Sequence, residues 1–335
     1  MRLKPNLIVA LLFCCATPAF LQTIVPYKIP VAVQASFRAL SVVNNQTAWV
    51  AGSNGWVGLT TNGTDWNFQQ LKAHEHSDFR SLYAFSATKA LVVNAGSPLH
   101  VLLTQDGGKT WQPVYTNSHS NAFADGIDFW NEREGIIYGD PLTDKLFLLK
   151  TSDGGQTWQP LEGPTLNPGE ASFAASGTGI RCLGKTDLLI STGGKTSRLF
   201  LSKDKGNTWK TMEPPVIQQS ESAGIFSFDR NKKTWVVVGG DFTQSQATNQ
   251  NAFVSFDDGK SWTPPHTAPA GYRECVLFLD KKKLITTGPS GTEISINRGI
   301  DWQPLSPTGY HVVRKARTGS LLVLAGNQTL AFVKP

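Results

Sequence analysis

The stretch TQDGGKTW, residues 104–111, returns as TSDGGQTW (151–158), SKDKGNTW (202–209) and SFDDGKSW (255–262). Two degenerate copies are SINRGIDW (295–302) and, one residue shorter, TTNGTDW (60–66). Each full copy keeps a hydroxyl residue, an aspartate two places on (Asp106, Asp153, Asp204, Asp257), a glycine and a final tryptophan. The tryptophans Trp66, Trp111, Trp158, Trp209, Trp262 and Trp302 follow one another at intervals of 40 to 53 residues. That period suits one four-stranded propeller blade per repeat and is too long for a leucine-rich repeat.

Alternation of β-branched and aromatic residues, broken by turn residues, gives the strands within a repeat. Around the opening stretch they are RSLYAF (80–85), ALVVNAG (90–96), HVLLTQ (100–105) and TWQPVY (110–115), with the glycines between the last two. The repeated box is therefore expected to be the hairpin turn between the third and fourth strands. Aspartate accepts local backbone hydrogen bonds, glycine takes positive φ without a steric penalty, and tryptophan fills the space against the next sheet. Turn chemistry accounts for every position, so the boxes are read as structural.

Counting sharpens the architecture. First strands begin near Phe37, Phe79, Phe123, Ala171, Ser222, Tyr272 and Tyr310, which makes seven, against six boxes. The seventh unit ends at Pro335 where its box and fourth strand should follow. TIVPYKIPVAV (23–33) belongs to no repeat and can supply the missing strand; Pro26 and Pro30 suit an outer edge, where an absent N–H is tolerated. The expected fold is all-β: a single seven-bladed β-propeller over 23–335, with four-stranded antiparallel blades and an N-terminal strand completing the last one.

Residues 1–22 read as a cleaved signal peptide, with Arg2 and Lys4 ahead of the apolar run LIVALLFCCATPAF (7–20). The run is too short for a membrane span and meets Pro18. A secreted or periplasmic protein is expected. A lipid anchor on Cys14 or Cys15 is the lesser alternative, because Phe13 and Cys14 are bulkier than the small residue a lipoprotein signal needs. Cys182 and Cys275, left after cleavage, fall on the first strands of non-adjacent blades, beyond the reach of about 7 Å that a disulfide allows. Net charge is +6 for the whole chain, without a basic run suited to nucleic acid. No P-loop, calcium loop, nucleophile elbow or dinucleotide motif occurs, so neither a cofactor nor a metal has an address. His74-Glu75-His76 is read as exposed loop rather than zinc site, for want of a third ligand. The sequons at Asn45, Asn62 and Asn327 would matter only in a eukaryotic secretory route. A monomer is expected.

First strands line a propeller's channel, so their opening residues crowd one mouth. Aligned on the aromatic residue, SFRAL (36–40), DFRSL (78–82) and GYREC (271–275) bring Arg38, Arg80 and Arg273 to one place in three blades, and GYHVV (309–313) brings His311 there in a fourth. Tyr272 and Tyr310 precede two of these residues, and Asp125 lies in the third blade's copy. Three guanidiniums at one mouth would recognise an anion, since each presents a planar fork suited to carboxylate or phosphate. The opposing reading pairs each arginine with an acid of a neighbouring blade, such as Asp125, Asp128, Glu170 or Glu274.

The boxes resemble the Asp-box, or BNR repeat, of sialidases and related propellers. Further segments are similar to the propellers related to the photosystem II stability and assembly factor: AWVAGSNGWVGLTTNGTDW (48–66), YGDP (138–141), GEASFAASGTGIRCLGKTDLLISTGG (169–194), SAGIFSFDRNKKTWVVVGGDF (222–242) and GPSGTEISINRG (288–299). This resemblance implies an exported, non-catalytic propeller that binds protein and assists assembly of a membrane-protein complex. It also implies an arginine patch, for which Arg38, Arg80 and Arg273 are the candidates. Nothing in the sequence points to photosynthesis, so the partner does not transfer with the fold. Two rival classes stay open. A sialidase-like glycoside hydrolase would need a tyrosine nucleophile, a glutamate base and an aspartate acid, roles open to Tyr272, Glu274 and Asp125. Alternation turns Tyr272 and Glu274 away from Arg273, however, and sialidase propellers usually have six blades. A lectin-like propeller taking a glycan or small anionic ligand in its mouth is the other class.

Overall fold

The computed structural model describes residues 23–334. Seven antiparallel sheets follow one another along the chain and form the seven blades of a ring. Inner strands run over Phe37–Val42, Asp78–Ala84, Ala124–Phe129, Ile180–Leu183, Ala223–Asn231, Cys275–Phe278 and Val312–Lys315. The second blade continues through Ala90–Ala95 and Leu99–Thr104 to Gln112–Asn117, within a few residues of the strands read from the sequence. Six sheets have four strands, whereas the outermost strand of the fifth blade is reduced to a single bridge between Val254 and Thr263.

The last blade closes as the strand count requires. Thr23–Tyr27 pairs antiparallel with the final strand, from Thr23 opposite Lys334 to Tyr27 opposite Leu330. Pro26 lies on this outermost strand, where only one edge needs donors. The closing segment is shorter than 23–33, since Pro30 already sits in a turn and its carbonyl accepts from Val33 N. The leader lies outside the described residues.

Every box joins the third and fourth strands of its blade, and its bonds repeat from copy to copy. At 104–111, Thr104 Oγ1 donates to Asp106 Oδ1 (2.9 Å) and accepts from Gly108 N (2.9 Å). Asp106 then accepts from Thr110 N (3.0 Å) and Thr110 Oγ1 (2.6 Å). At 295–302 the polarity inverts: asparagine replaces the aspartate, and Asn297 Nδ2 donates to Asp301 Oδ2 (2.8 Å) where the four full copies have a hydroxyl donor. The degenerate box thus keeps its bond with donor and acceptor exchanged. Gly155, at φ +86°, shows why the second glycine is needed, since a Cβ there would stand 2.4 Å from Leu91 Cδ1.

Each box tryptophan packs across the seam to the blade before its own. Trp111 meets Trp49 of blade 1 edge-on at 6.0 Å, and Trp158 joins the cluster that Leu91 and Val101 of blade 2 share with Ile137 and Leu149 of blade 3. Trp66 plays the same part between blades 7 and 1, packed with Phe332 and Tyr27 near the closing strand. Six boxes therefore furnish six seams. The seventh, between blades 6 and 7, lacks a box tryptophan, and a groove of about 190 Å³ lined by Leu279, Leu322 and Val333 lies there.

One expectation needs correction. The fourth inner strand starts at Ile180, not near Ala171. Glu170–Ala171 instead pairs with Gly193–Gly194, which adds these two short strands to the inner edge of the fifth sheet. Residues 172–178 between them (SFAASGT) cross the channel. Arg38 Nη1 of blade 1 donates to Ala175 O (2.9 Å), and Arg314 Nη2 of blade 7 donates to Gly177 O (2.8 Å). Ser176 Oγ donates to Glu274 O of blade 6 (2.7 Å), and Thr178 Oγ1 to Ser227 Oγ of blade 5 (2.7 Å). Small side chains and a glycine let this plug sit where a regular strand would not fit. Sequence spacing alone read it as strand because it begins with an alternating E-A-S-F-A.

The box carboxylates make stability pH-dependent. The Thr110 hydroxyl and amide hold Asp106 down at about 2, and Thr208 does the same for Asp204 at about 2. Because the folded values lie below the unfolded value of about 4, the stabilisation is complete above pH ~4 and is lost as pH falls to about 2. Thermal unfolding followed by circular dichroism should show a steep fall in Tm across that window. An Asp106→Asn/Asp204→Asn variant should start lower at pH 7 and fall less steeply.

Candidate functional site

Pairing registers fix which side chains share a place at the amino-terminal mouth of the channel. In blades 1, 2, 3 and 5 one inner-strand residue is extruded as a bulge: Arg38, Arg80, Asp125 and Phe226. In blades 6 and 7 the matching residues are Glu274 and His311, whose amides bond to Thr287 O and Ala325 O. Arg38, Arg80 and His311 hold the common position as expected. Arg273 does not; it sits one residue earlier, in the register of Phe37. A slip of one residue turns a side chain to the opposite face, so aligning on the aromatic residue misplaced this arginine.

Arg273 is fully buried, and its donors are satisfied within blade 6. Nε and Nη2 donate to Glu293 Oε2 (3.0 and 2.8 Å), Nη1 to Tyr272 O (3.0 Å) and Ser290 Oγ (2.6 Å), and Nη2 also to Ala270 O (3.0 Å). It clamps the loop before the inner strand to the third strand. Tyr310 likewise lies outside the mouth: it is buried in the core shared with Val312 and Ile285, and its backbone bonds Thr287 Oγ1.

The mouth proper is a pocket of about 350 Å³ lined by Arg38, Arg80, Phe173, Phe226, Phe242, Tyr272 and Glu274. Phe173 from the plug stacks on Phe226 with centroids 3.8 Å apart, Tyr272 meets Phe226 edge-on at 4.6 Å, and Phe242 stands edge-on to both phenylalanines at 6.4 Å. Phe242 is 51% exposed, an uncommon cost for a phenylalanine that caps an aromatic cluster. It sits in a single 3-10 turn, Phe242–Gln244, capped by Asp241, whose side chain accepts from Thr243 N. Sequence reasoning named Tyr272 but missed the rest of this aromatic wall, Phe173, Phe226 and Phe242. The available signal was the position of Phe242, a large apolar residue immediately after the strand-ending G-G-D.

Charges at the rim are already paired. Arg80 Nε donates to Asp78 Oδ2 (2.7 Å), and Arg38 Nη1 approaches Glu274 Oε2 (3.3 Å). The same Glu274 oxygen bonds His311 Nδ1 (2.6 Å), while His311 Nε2 bonds Ser36 Oγ (3.0 Å). Arg38 and Arg80 keep 21% and 33% of their side-chain surface exposed, so both can still offer N–H groups to a ligand. Behind them Asp125 is completely buried with neither carboxylate oxygen hydrogen-bonded. Burial, then the nearby Asp140, push its carboxyl well above the usual range; Arg80 opposes this only in part.

Comparison with known proteins agrees with the architecture. Residues 148–285 match the family model described as Sortilin, neurotensin receptor 3. Among solved structures, "YCF48 bound to D1 peptide" superposes with a TM-score of 0.67 at 14% identity, covering 92% of this chain and 96% of that one. The chain has the fold of YCF48. A second such structure, from Cyanidioschyzon merolae, gives a TM-score of 0.58 at 15% identity over 93% of this chain and 99% of that one. The structure of U3-55K gives 0.65 at 12% identity over 93% of this chain and 98% of that one. No curated protein matches the chain in sequence.

Replacing Arg273 should test its structural role. Arg273→Ala leaves Glu293 buried without its partner, a loss that costs about 3–5 kcal/mol. Urea unfolding should show this drop in stability, and Arg38→Ala or Arg80→Ala should each cost far less.

Proposed function

We propose that the protein is a non-catalytic scaffold that binds a peptide segment of a protein partner in the amino-terminal mouth, in the manner of an assembly factor. The observation that carries this reading is the exposed Phe242 over the Phe173–Phe226 stack, flanked by two partly exposed arginines. An apolar floor beside guanidinium forks fits an extended peptide that presents an aromatic or aliphatic side chain and an acidic group or terminal carboxylate. The likeness to a propeller seen with a bound peptide supports the same reading. Delivery to a secreted or periplasmic location, with a membrane-protein complex as the partner, belongs to this proposal and rests on the leader sequence and the family resemblance.

A hydrolase reading draws on one observation: Tyr272 and Glu274 face the same pocket as Arg38. The tyrosine is poorly prepared as a nucleophile. It is 2% exposed, and burial together with Glu274 pushes its phenol well above the ordinary value, which opposes formation of the phenolate. Glu274 is already shared between Arg38 and His311.

A peptide array probed with purified residues 23–335 tests the scaffold reading. Binding should favour sequences that combine an aromatic or aliphatic residue with a neighbouring acid. Phe242→Ala combined with Arg38→Ala and Arg80→Ala should remove it, by tenfold or more for roughly 1.4 kcal/mol lost, while circular dichroism stays unchanged. Equal binding by wild type and variant would overturn the proposal. Turnover of a fluorogenic sialoside that disappears in Tyr272→Phe would establish the hydrolase instead.

A further inference from the structure

The plug leaves a second chamber beneath it, at the carboxyl ends of the inner strands. This cavity of about 250 Å³ takes walls from six blades, with a fifth-blade residue, Asp229, just behind. Its chemistry differs from that of the peptide pocket. Arg181, Arg314, Lys315 and Arg317 line it against one carboxylate, Asp128.

The two acids nearby, Asp128 and Asp229, offset only part of the charge of these four cations. Asp128 spends its oxygens on backbone amides, accepting from Cys182 N (2.7 Å) and Phe129 N (2.9 Å). Asp229 does likewise with Phe278 N (2.7 Å) and Arg230 N (2.8 Å), and lies 3.9 Å from Arg181 Nε. The cations meanwhile bond neutral groups: Arg314 to Gly177 O, Lys315 to Leu279 O, and Arg317 to Ser41 Oγ and Ala84 O. Arg181 Nη2 is buried and has no hydrogen-bond partner. The guanidiniums of Arg181 and Arg314 also act on each other: burial first, then Arg181, lower Arg314 to about 10. Two like charges held together with a donor left over is an arrangement that an anion completes.

The geometry points to an anion-binding site in this chamber, taking a small organic oxyanion. Its carboxylate or phosphate head would lie between Arg181 and Arg314, and a compact apolar body would lie against Leu40, Leu82, Ile127 and Leu277. The volume sets the size, since it falls below the roughly 300 Å³ at which drug-sized pockets begin. This site is separate from the peptide pocket, and neither proposal depends on the other.

Cys182, a partly exposed residue that lines the chamber, provides the readout, with alkylation run at alkaline pH because burial and then Asp128 push its thiol well above the usual range. Alkylation of the folded protein by iodoacetamide is followed by mass spectrometry, with the fully buried Cys275 as internal control. Isobutyrate and inorganic phosphate are compared with chloride at matched ionic strength. At tenfold excess over its Kd, the preferred anion should slow Cys182 alkylation about tenfold, because only the empty site reacts. Protection by isobutyrate alone assigns a carboxylate head, and protection by phosphate alone assigns a phosphate head. In Arg181→Met the protection should vanish, while Tm without anion stays level or rises as the like-charge contact is relieved. Absence of protection by both anions in the wild type overturns the site, whether or not the variant folds. Equal protection in Arg181→Met, or a marked loss of its anion-free stability, does so as well.

Discussion

A ring of sheets must be shut, and here the closing device is five residue pairs between the two ends of the described chain, Thr23–Tyr27 against Leu330–Lys334. The inner strands can crowd around a channel only because blade 7 is complete. Without the closing strand, the last blade would offer Leu330 and Phe332 to solvent along an open edge. Trp66 and Tyr27 reinforce the same seam: the Tyr27 hydroxyl lies 3.3 Å from Trp66 N, and the tyrosine ring meets Phe332 edge-on at 6.3 Å. The two candidate chambers depend on that closure, since the lower draws walls from blades 1 and 7 and the upper from blades 1 and 6.

The plug divides one channel into two environments. Above it, Phe173 and Phe226 present aromatic faces, and the arginines are already engaged with Asp78 and Glu274. Below it, aliphatic walls surround guanidiniums whose carboxylate neighbours are occupied by backbone amides. Arg38 and Arg314 hold the plug from opposite sides, so the same seven residues serve as floor for one chamber and roof for the other. A change at Gly177 or Ala175 would reach both.

Sequence reading succeeded where a single rule applied over and over. The boxes announced the turns, their tryptophans the period, and the mismatch between six boxes and seven first strands the closing segment. It failed where the chain departs from its own repeat. Residues 170–178 carry alternation like that of a strand, yet their small side chains serve to cross a channel, a tertiary need that local pattern does not encode. Arg273 was misplaced because Tyr272 was aligned with Phe37, although bulges at Arg38 and Arg80 shift the register by one. Arg181, Arg314 and Arg317 went unremarked as a group because they lie in two distant parts of the sequence, and only ring closure sets them side by side.

The seam without a box tryptophan has a further consequence. Six seams are filled by an indole, and removal of the buried ones, Trp66, Trp158 and Trp302, would cost about 3–5 kcal/mol each, whereas blades 6 and 7 meet around Cys275, Ile285 and Val312, with an unfilled groove at the periphery. The ring is therefore mechanically uneven. Under thermal agitation it should hinge at this joint before any other, spreading like a split washer whose gap lies beside the closing strand. Glu274 and His311, which face each other across that joint, would part as it spreads, coupling the shape of the aromatic mouth pocket to the weakest seam of the ring.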